Sequence, residues 1–208
     1  KREDNTDYWE YVLLYVDDCL CISTNPEKII REEIGKYFLM KEASIGPPDI
    51  YLGGKVSQVV LETGEVCWSF SSSQYVQEAC RNVRKYLKDR YKDDPIQNRQ
   101  YFMPKKAGAP LSNNYRPEID VSPELEPADA AYYQSLIGIL RWMVELGRID
   151  ICVEVSMMSS CLALPREGHL MQVFHMFSYL EKNHNSEMVF DHSVPDIEHN
   201  DFPRQDWS

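Results

Sequence analysis

Hydrophobic positions recur in two different rhythms along this chain, and the change of rhythm divides it. Trp9 to Tyr15 and Cys19 to Ser23 are apolar runs of strand length, rich in aromatic and β-branched residues. Val16, Asp17 and Asp18 fall at the expected turn between them. The stretch TNPEKIIREEIGKYF (24–38) opens with helix-start signals: Thr24 or Asn25 as N-cap, Pro26 in the first turn, Glu27 beside the positive helix end. Ile29, Ile30, Ile34, Tyr37 and Phe38 then recur at helical spacing. Gly46, Pro47 and Pro48 mark a loop. Ile50 to Val60 and Val66 to Phe70 read as strands joined by a hairpin turn at ETGE (62–65). SSSQYVQEACRNVRKYL (71–87) has the pattern of a capped amphipathic helix. From Asp89 to Pro127 the chain is rich in Pro, Asn, Asp and Lys with little periodicity, which predicts a long linker. Helical periodicity returns over 127–146, 149–164 and 166–183, where Trp142, Met143, Met157 and Met158 read as core. His169 and His175 lie on a helical stripe with Leu170, Phe174 and Phe177, and read as core or surface histidines rather than ligands.

Composition adds limits. The 208 residues are 43% hydrophobic, enough to bury a core. The formal net charge of −11 argues against a nucleic-acid binder, because affinity for phosphate comes from Lys and Arg. The charge is polarised, however. Residues 72–106 carry nine bases against four acids, and residues 181–208 carry seven acids against two bases. Six cysteines form no CxxC pair and sit mostly in apolar runs, which favours buried free thiols over a zinc site. There is no signal peptide and no apolar run long enough to span a bilayer, so the chain reads as intracellular with no membrane partner. It begins with Lys1 and ends in PRQDWS, and is expected to be a piece of something longer.

The chemistry concentrates in YVLLYVDDCLCIS (11–23). Adjacent acids between two apolar strands repel each other, and burial raises the cost of charging them. A divalent cation relieves that repulsion. Magnesium takes few carboxylates and keeps waters and substrate phosphates, and two such ions can stabilise both oxygens of a phosphoryl transfer. The plainer alternative is a pair of solvated turn aspartates. The apolar flanks favour the metal reading and predict that Asp17 and Asp18 project together from a hairpin turn between buried strands.

At this point the chain resembles a family. Tyr15-Val16-Asp17-Asp18 is similar to the metal-binding motif of reverse transcriptases. FLMKE (38–42) followed by YLGGKV (51–56) resembles the palm end and primer-gripping hairpin of copia-type LTR retrotransposon polymerases. SSSQYVQEAC resembles the start of their thumb helix. Residues 132–165 and 169–183 resemble the helical region before their RNase H domain, with Ile149 where the family would have proline in Arg-Pro-Asp-Ile. The blocks run in the family's order from about residue 11 to residue 190.

The resemblance implies an α+β fold: a partial polymerase palm, an antiparallel sheet with helices, followed by a mostly helical thumb and connection region. It divides the chain into the C-terminal palm with primer grip (1–70), thumb helix and linker (71–126), helical connection (127–190) and an acidic tail leading towards RNase H (191–208). It implies RNA-directed DNA polymerisation with two magnesium ions in the intact polyprotein, acting on an RNA template and a DNA primer. Upstream palm and fingers, and downstream RNase H, would be supplied by the rest of that polyprotein, in a cytoplasmic virus-like particle or the nucleus. The isolated chain, lacking a bridging carboxylate, would be inactive. Asp17 corresponds to the principal metal ligand and Asp18 to its partner. Tyr15 and Val16 would lie near the primer end and nucleotide sugar, and Leu52, Gly53 and Gly54 would form the primer grip. A missing Cβ there lets a nucleic-acid backbone come close; a β-bulge is the structural alternative. Lys41 sits where some polymerases place a lysine that protonates pyrophosphate, with an ordinary exposed lysine as the alternative. Arg81, Arg84, Lys85 and Lys88 would track the template–primer backbone, or form a solvated face. Against the polymerase reading stand a decayed or repurposed retroelement fragment that binds a partner without chemistry, and an unrelated acidic scaffold.

Overall fold

The four-stranded sheet is closed by a strand from the far end of the chain. In the computed structural model, which describes residues 9–92 and 100–191, strands β3 (Ile50–Tyr51), β4 (Gly54–Val60) and β5 (Val66–Ser71) pair consecutively and antiparallel. Strand β6 (Met188–Phe190) then joins the outer side of β5, with Trp68 opposite Phe190 and Phe70 opposite Met188. The sequence pattern had ended in helix there; three apolar residues, Met188-Val189-Phe190, are too few to display a period of two.

Helices α2 (Ser73–Arg90), α3 (Pro127–Glu145), α4 (Cys152–Ser159) and α5 (Glu167–Lys182) pack together. Their apolar stripes supply the core: Val76, Cys80 and Val83 from α2, Leu136, Leu140 and Met143 from α3, Met158 from α4, and Leu170, Phe174 and Phe177 from α5. Met157, expected in the core with Met158, is exposed. A short 3-10 turn, Ile149–Ile151, links α3 to α4. It is fixed by Arg148, only 1% exposed, whose Nε and Nη2 donate to the two Asp150 carboxylate oxygens at 2.8 and 2.7 Å.

The expected linker between residues 89 and 127 is a correction. Over its described part, from residue 100 onward, it is a packed strap. Tyr101, Met103 and Ala107 are buried, and Tyr101 and Met103 belong to the helical core. His169 closes the strap: Arg166 N–H donates to its Nδ1, leaving Nε2 to donate to the Pro117 carbonyl at 3.1 Å. Isolated apolar residues in a Pro-rich stretch give no periodic signal, although each fills a core position.

The N-terminal part also departs from expectation. Strands β1 (Tyr11–Tyr15) and β2 (Asp18–Ile22) form a separate antiparallel two-stranded sheet. Instead of being buried, β1 is exposed along its whole length. Asn25 does cap the helix that follows, its Oδ1 accepting from Lys28 N–H, with Pro26 at the first position. That helix, α1 (Pro26–Lys28), passes into a π-helical segment, Ile29–Ile34, and ends at Gly35. Tyr37 and Phe38, expected on its apolar face, are exposed. The acidic stretch from residue 192 onward, and Asp93, Asp94 and Arg99 of the basic region, lie outside the described residues.

Candidate metal-binding hairpin

Val16 and Asp17 are the two loop residues of the β1–β2 hairpin, and Tyr15 stands opposite Asp18 across the pair. Two-residue hairpin loops need positive φ at one or both central positions, which is why glycine and asparagine dominate them. Here the position is held by a β-branched residue: Val16 has φ 54° and is 93% exposed. Such a backbone costs of order 1–3 kcal/mol and persists only where surrounding structure over-determines it. At the open end, Ser23 Oγ donates to Glu10 Oε1 at 2.5 Å and accepts from Asn25 N–H, tying the hairpin to the cap of α1.

Asp17 therefore sits at the tip and Asp18 on the first strand position. Both are exposed. Directly opposed residues share a face of the sheet, so Tyr15 and Asp18 point the same way. That face meets an aromatic neighbour. The Tyr15 ring packs against Trp142 of α3, centroids 5.9 Å apart and planes 44° apart. Tyr51 of β3 lies in the field of Asp18: burial, then the Asp18 and Cys19 charges, push its hydroxyl above the ordinary tyrosine value. Among the described residues no group of three or more His, Cys, Asp or Glu is placed to hold a metal ion.

The second hairpin, between β3 and β4, also turns in two residues. Leu52 and Gly53 both take positive φ, 52° and 82°, the signature of the I′ turn, and Tyr51 pairs with Gly54. This is a tight turn, not a β-bulge. The two glycines differ. A Cβ on Gly53 would meet open space, so its backbone is approachable from outside. A Cβ on Gly54 would fall within the Phe70 ring, which already covers it. The close approach expected at Gly54 is thus made by the protein's own aromatic ring. Lys41 is exposed at the entry to the 3-10 turn Glu42–Ser44, and its carbonyl accepts from Ser44 N–H and Oγ.

On α2, Arg81, Lys85 and Lys88 are exposed, but Arg84 is engaged. Its guanidinium grips both carboxylate oxygens of Glu181 on α5, which holds the Glu181 carboxyl below its ordinary value. Further along, Arg90 is held by Asp129 of α3 in the same two-point manner. The basic face read from sequence is partly a clamp between helices. His175 and His184 also serve local structure, His175 Nε2 facing the Ala109 carbonyl and His184 Nδ1 facing Ser73 Oγ.

Tyr51 and Trp142 were not singled out for the site. Tyr51 does announce itself, standing directly before the Leu52-Gly53 turn. Trp142, read as core, lies only half-buried on its helix, and no local pattern brings it to Tyr15.

Over 172 residues the chain is 27% identical to a transposon Ty5-1 protein of Saccharomyces cerevisiae, a match that covers 82% of this chain and 48% of that protein. The chain thus spans about half the length of that relative. The sequence is related to a transposon protein. No protein-family model and no solved structure matches it.

Proposed function

We propose that this chain is the C-terminal palm, thumb and connection segment of a copia-type reverse transcriptase, part of a retrotransposon polyprotein that copies RNA into DNA. The observation that carries the reading is the Tyr15–Asp18 hairpin: a two-residue loop, strained at Val16, that presents two adjacent carboxylates to solvent. The relationship to a transposon protein supports it. Two hard, water-exposed carboxylates suit magnesium, which binds through one or two carboxylates and retains waters. Asp17 would hold the ion with Asp18 beside it; when bound, the ion would offset charge on the transferring phosphate. The chain's own part is positional. Asp18 is fixed opposite Tyr15, Tyr15 is braced on Trp142, and the open side of Gly53 offers approachable backbone. Two carboxylates make an incomplete cluster, so activity belongs to the polyprotein, where a further ligand, and the fingers that hold the nucleotide in line, are supplied.

The test is primer extension on an RNA template by the whole polyprotein with magnesium. Asp17→Asn should abolish extension while leaving the far-UV circular dichroism of the 208-residue chain unchanged. The second reading, a repurposed fragment that binds without chemistry, is favoured by the net charge of −11 and by the Arg84–Glu181 clamp. Extension indifferent to Asp17→Asn, or none from the intact polyprotein, would favour it.

A further inference from the structure

We infer that Trp142 is a positioning residue for the acidic hairpin: α3 acts as a strut that holds the Asp17–Asp18 tip in its metal-binding geometry. The inference rests on the metal reading of that tip. Three separate observations converge on it. Val16 is held at φ 54°, a conformation a β-branched residue does not keep unaided. β1 is exposed along its whole length and β2 is at most half-buried, so the hairpin has little packing of its own to enforce that geometry. And the tip is reached from the helical core, where the Tyr15 ring, on the same face as Asp18, packs on Trp142. Trp142 stands on a helix whose other faces are anchored in the core through Leu136, Leu140 and Met143. It therefore transmits the rigidity of the helical core to an otherwise exposed loop.

An aromatic pair of this kind contributes beyond its buried area by an amount that corresponds to roughly two- to tenfold in an equilibrium constant. The expected effect is thus a graded loss of metal affinity rather than an all-or-none loss. Two measurements on the 208-residue chain test it. In a variant retaining Trp142 as the sole tryptophan (Trp9, Trp68 and Trp207 replaced by Phe), Tyr15→Leu should shift the emission of Trp142 without any metal present. Unchanged emission would overturn the contact. Separately, Mn²⁺ binding is followed by electron paramagnetic resonance of the free ion. Asp17→Asn should remove the site. Trp142→Ala should weaken it roughly two- to tenfold, Trp142→Phe should restore affinity close to the starting value, and Tyr15→Leu with Trp142→Ala should cost no more than either alone. The control Trp68→Ala, on β5, should leave affinity as it was. Asp17-dependent binding that ignores Trp142→Ala overturns the strut while sparing the metal reading. Binding that ignores Asp17→Asn overturns the metal reading, and the strut's metal role with it.

Discussion

Two adjacent glycines in one turn do different work, and substitution should separate them. Gly53 needs its backbone: φ is 82° with open space beyond. Gly53→Ala should cost about 1–2 kcal/mol, the price of a left-handed L-residue. Gly54 needs its missing side chain, because Phe70 occupies that volume. Gly54→Ala should cost about 1–3 kcal/mol from overpacking, and Gly54→Ala with Phe70→Leu should recover part of it. Urea unfolding of the four proteins checks both. A second residue-scale prediction concerns Arg148 and Asp150. Burial alone would raise the Asp150 carboxyl, but the hydrogen bonds and charge of Arg148, and the Tyr179 hydroxyl, hold it below its ordinary value of 3.8. A carboxyl lowered in the folded state stabilises fully above its unfolded pKa and loses that contribution as pH falls through the folded one. Asp150→Asn strands a guanidinium that is 1% exposed. It should cost about 3 kcal/mol at pH 7, the low end of the range for breaking a buried pair, since Asp150 itself is partly exposed. The gap between wild type and variant should narrow below about pH 4. A gap that is constant between pH 7 and pH 3 would show that packing, not charge, is what the substitution removes.

At the scale of elements, what the sequence revealed and what it hid follow from how far apart the interacting residues lie. The start of α1 was legible because Asn25, Pro26 and Glu27 are local signals, and α2, α3 and α5 because their stripes repeat every turn. The acidic hairpin was legible because its turn separates two strand-length runs. The strap was hidden because Tyr101 and Met103 contact helices far along the chain, and nothing in the intervening Pro-rich sequence marks them. The Gly54–Phe70 fit was hidden for the same reason, being a contact across strands. The π-helical segment over Ile29–Ile34 was legible only as helix, because a few apolar residues do not tell i→i+4 from i→i+5 hydrogen bonding. The strap carries its own prediction. Tyr101 is 2% exposed and sits near Phe174 with ring centroids 5.9 Å apart; burial pushes its hydroxyl up to about 12. Tyr101→Ala should cost about 3–5 kcal/mol, as for other buried aromatics, measured by thermal or urea unfolding. A linker residue would cost almost nothing.

For the whole molecule, burial is uneven. Every described residue of β1 is exposed, whereas Leu136, Leu140, Phe174 and Phe177 are at 1% or less. Amide exchange should follow this division, with β1 and β2 exchanging near the rate of a local opening and α3 and α5 only on global unfolding. The thiols offer a second readout of the same division. Cys152 is exposed, while Cys80 is buried, donates to the Phe177 carbonyl, and is pushed up to about 12 by burial. Cys152 should react with a thiol reagent in the folded protein and Cys80 only after unfolding; equal rates would mean the helical core opens readily.

The larger sheet has a further consequence in time. During synthesis β3, β4 and β5 leave the ribosome together, but β6 follows them by more than a hundred residues, after α2, α3, α4 and α5. The β5 edge beside Trp68 stays open through that interval. A translation product halted just after α5 would hold every helix-forming stripe and still offer an unpaired strand to its neighbours. The chain is thus safest from self-association only once its last described strand has been made.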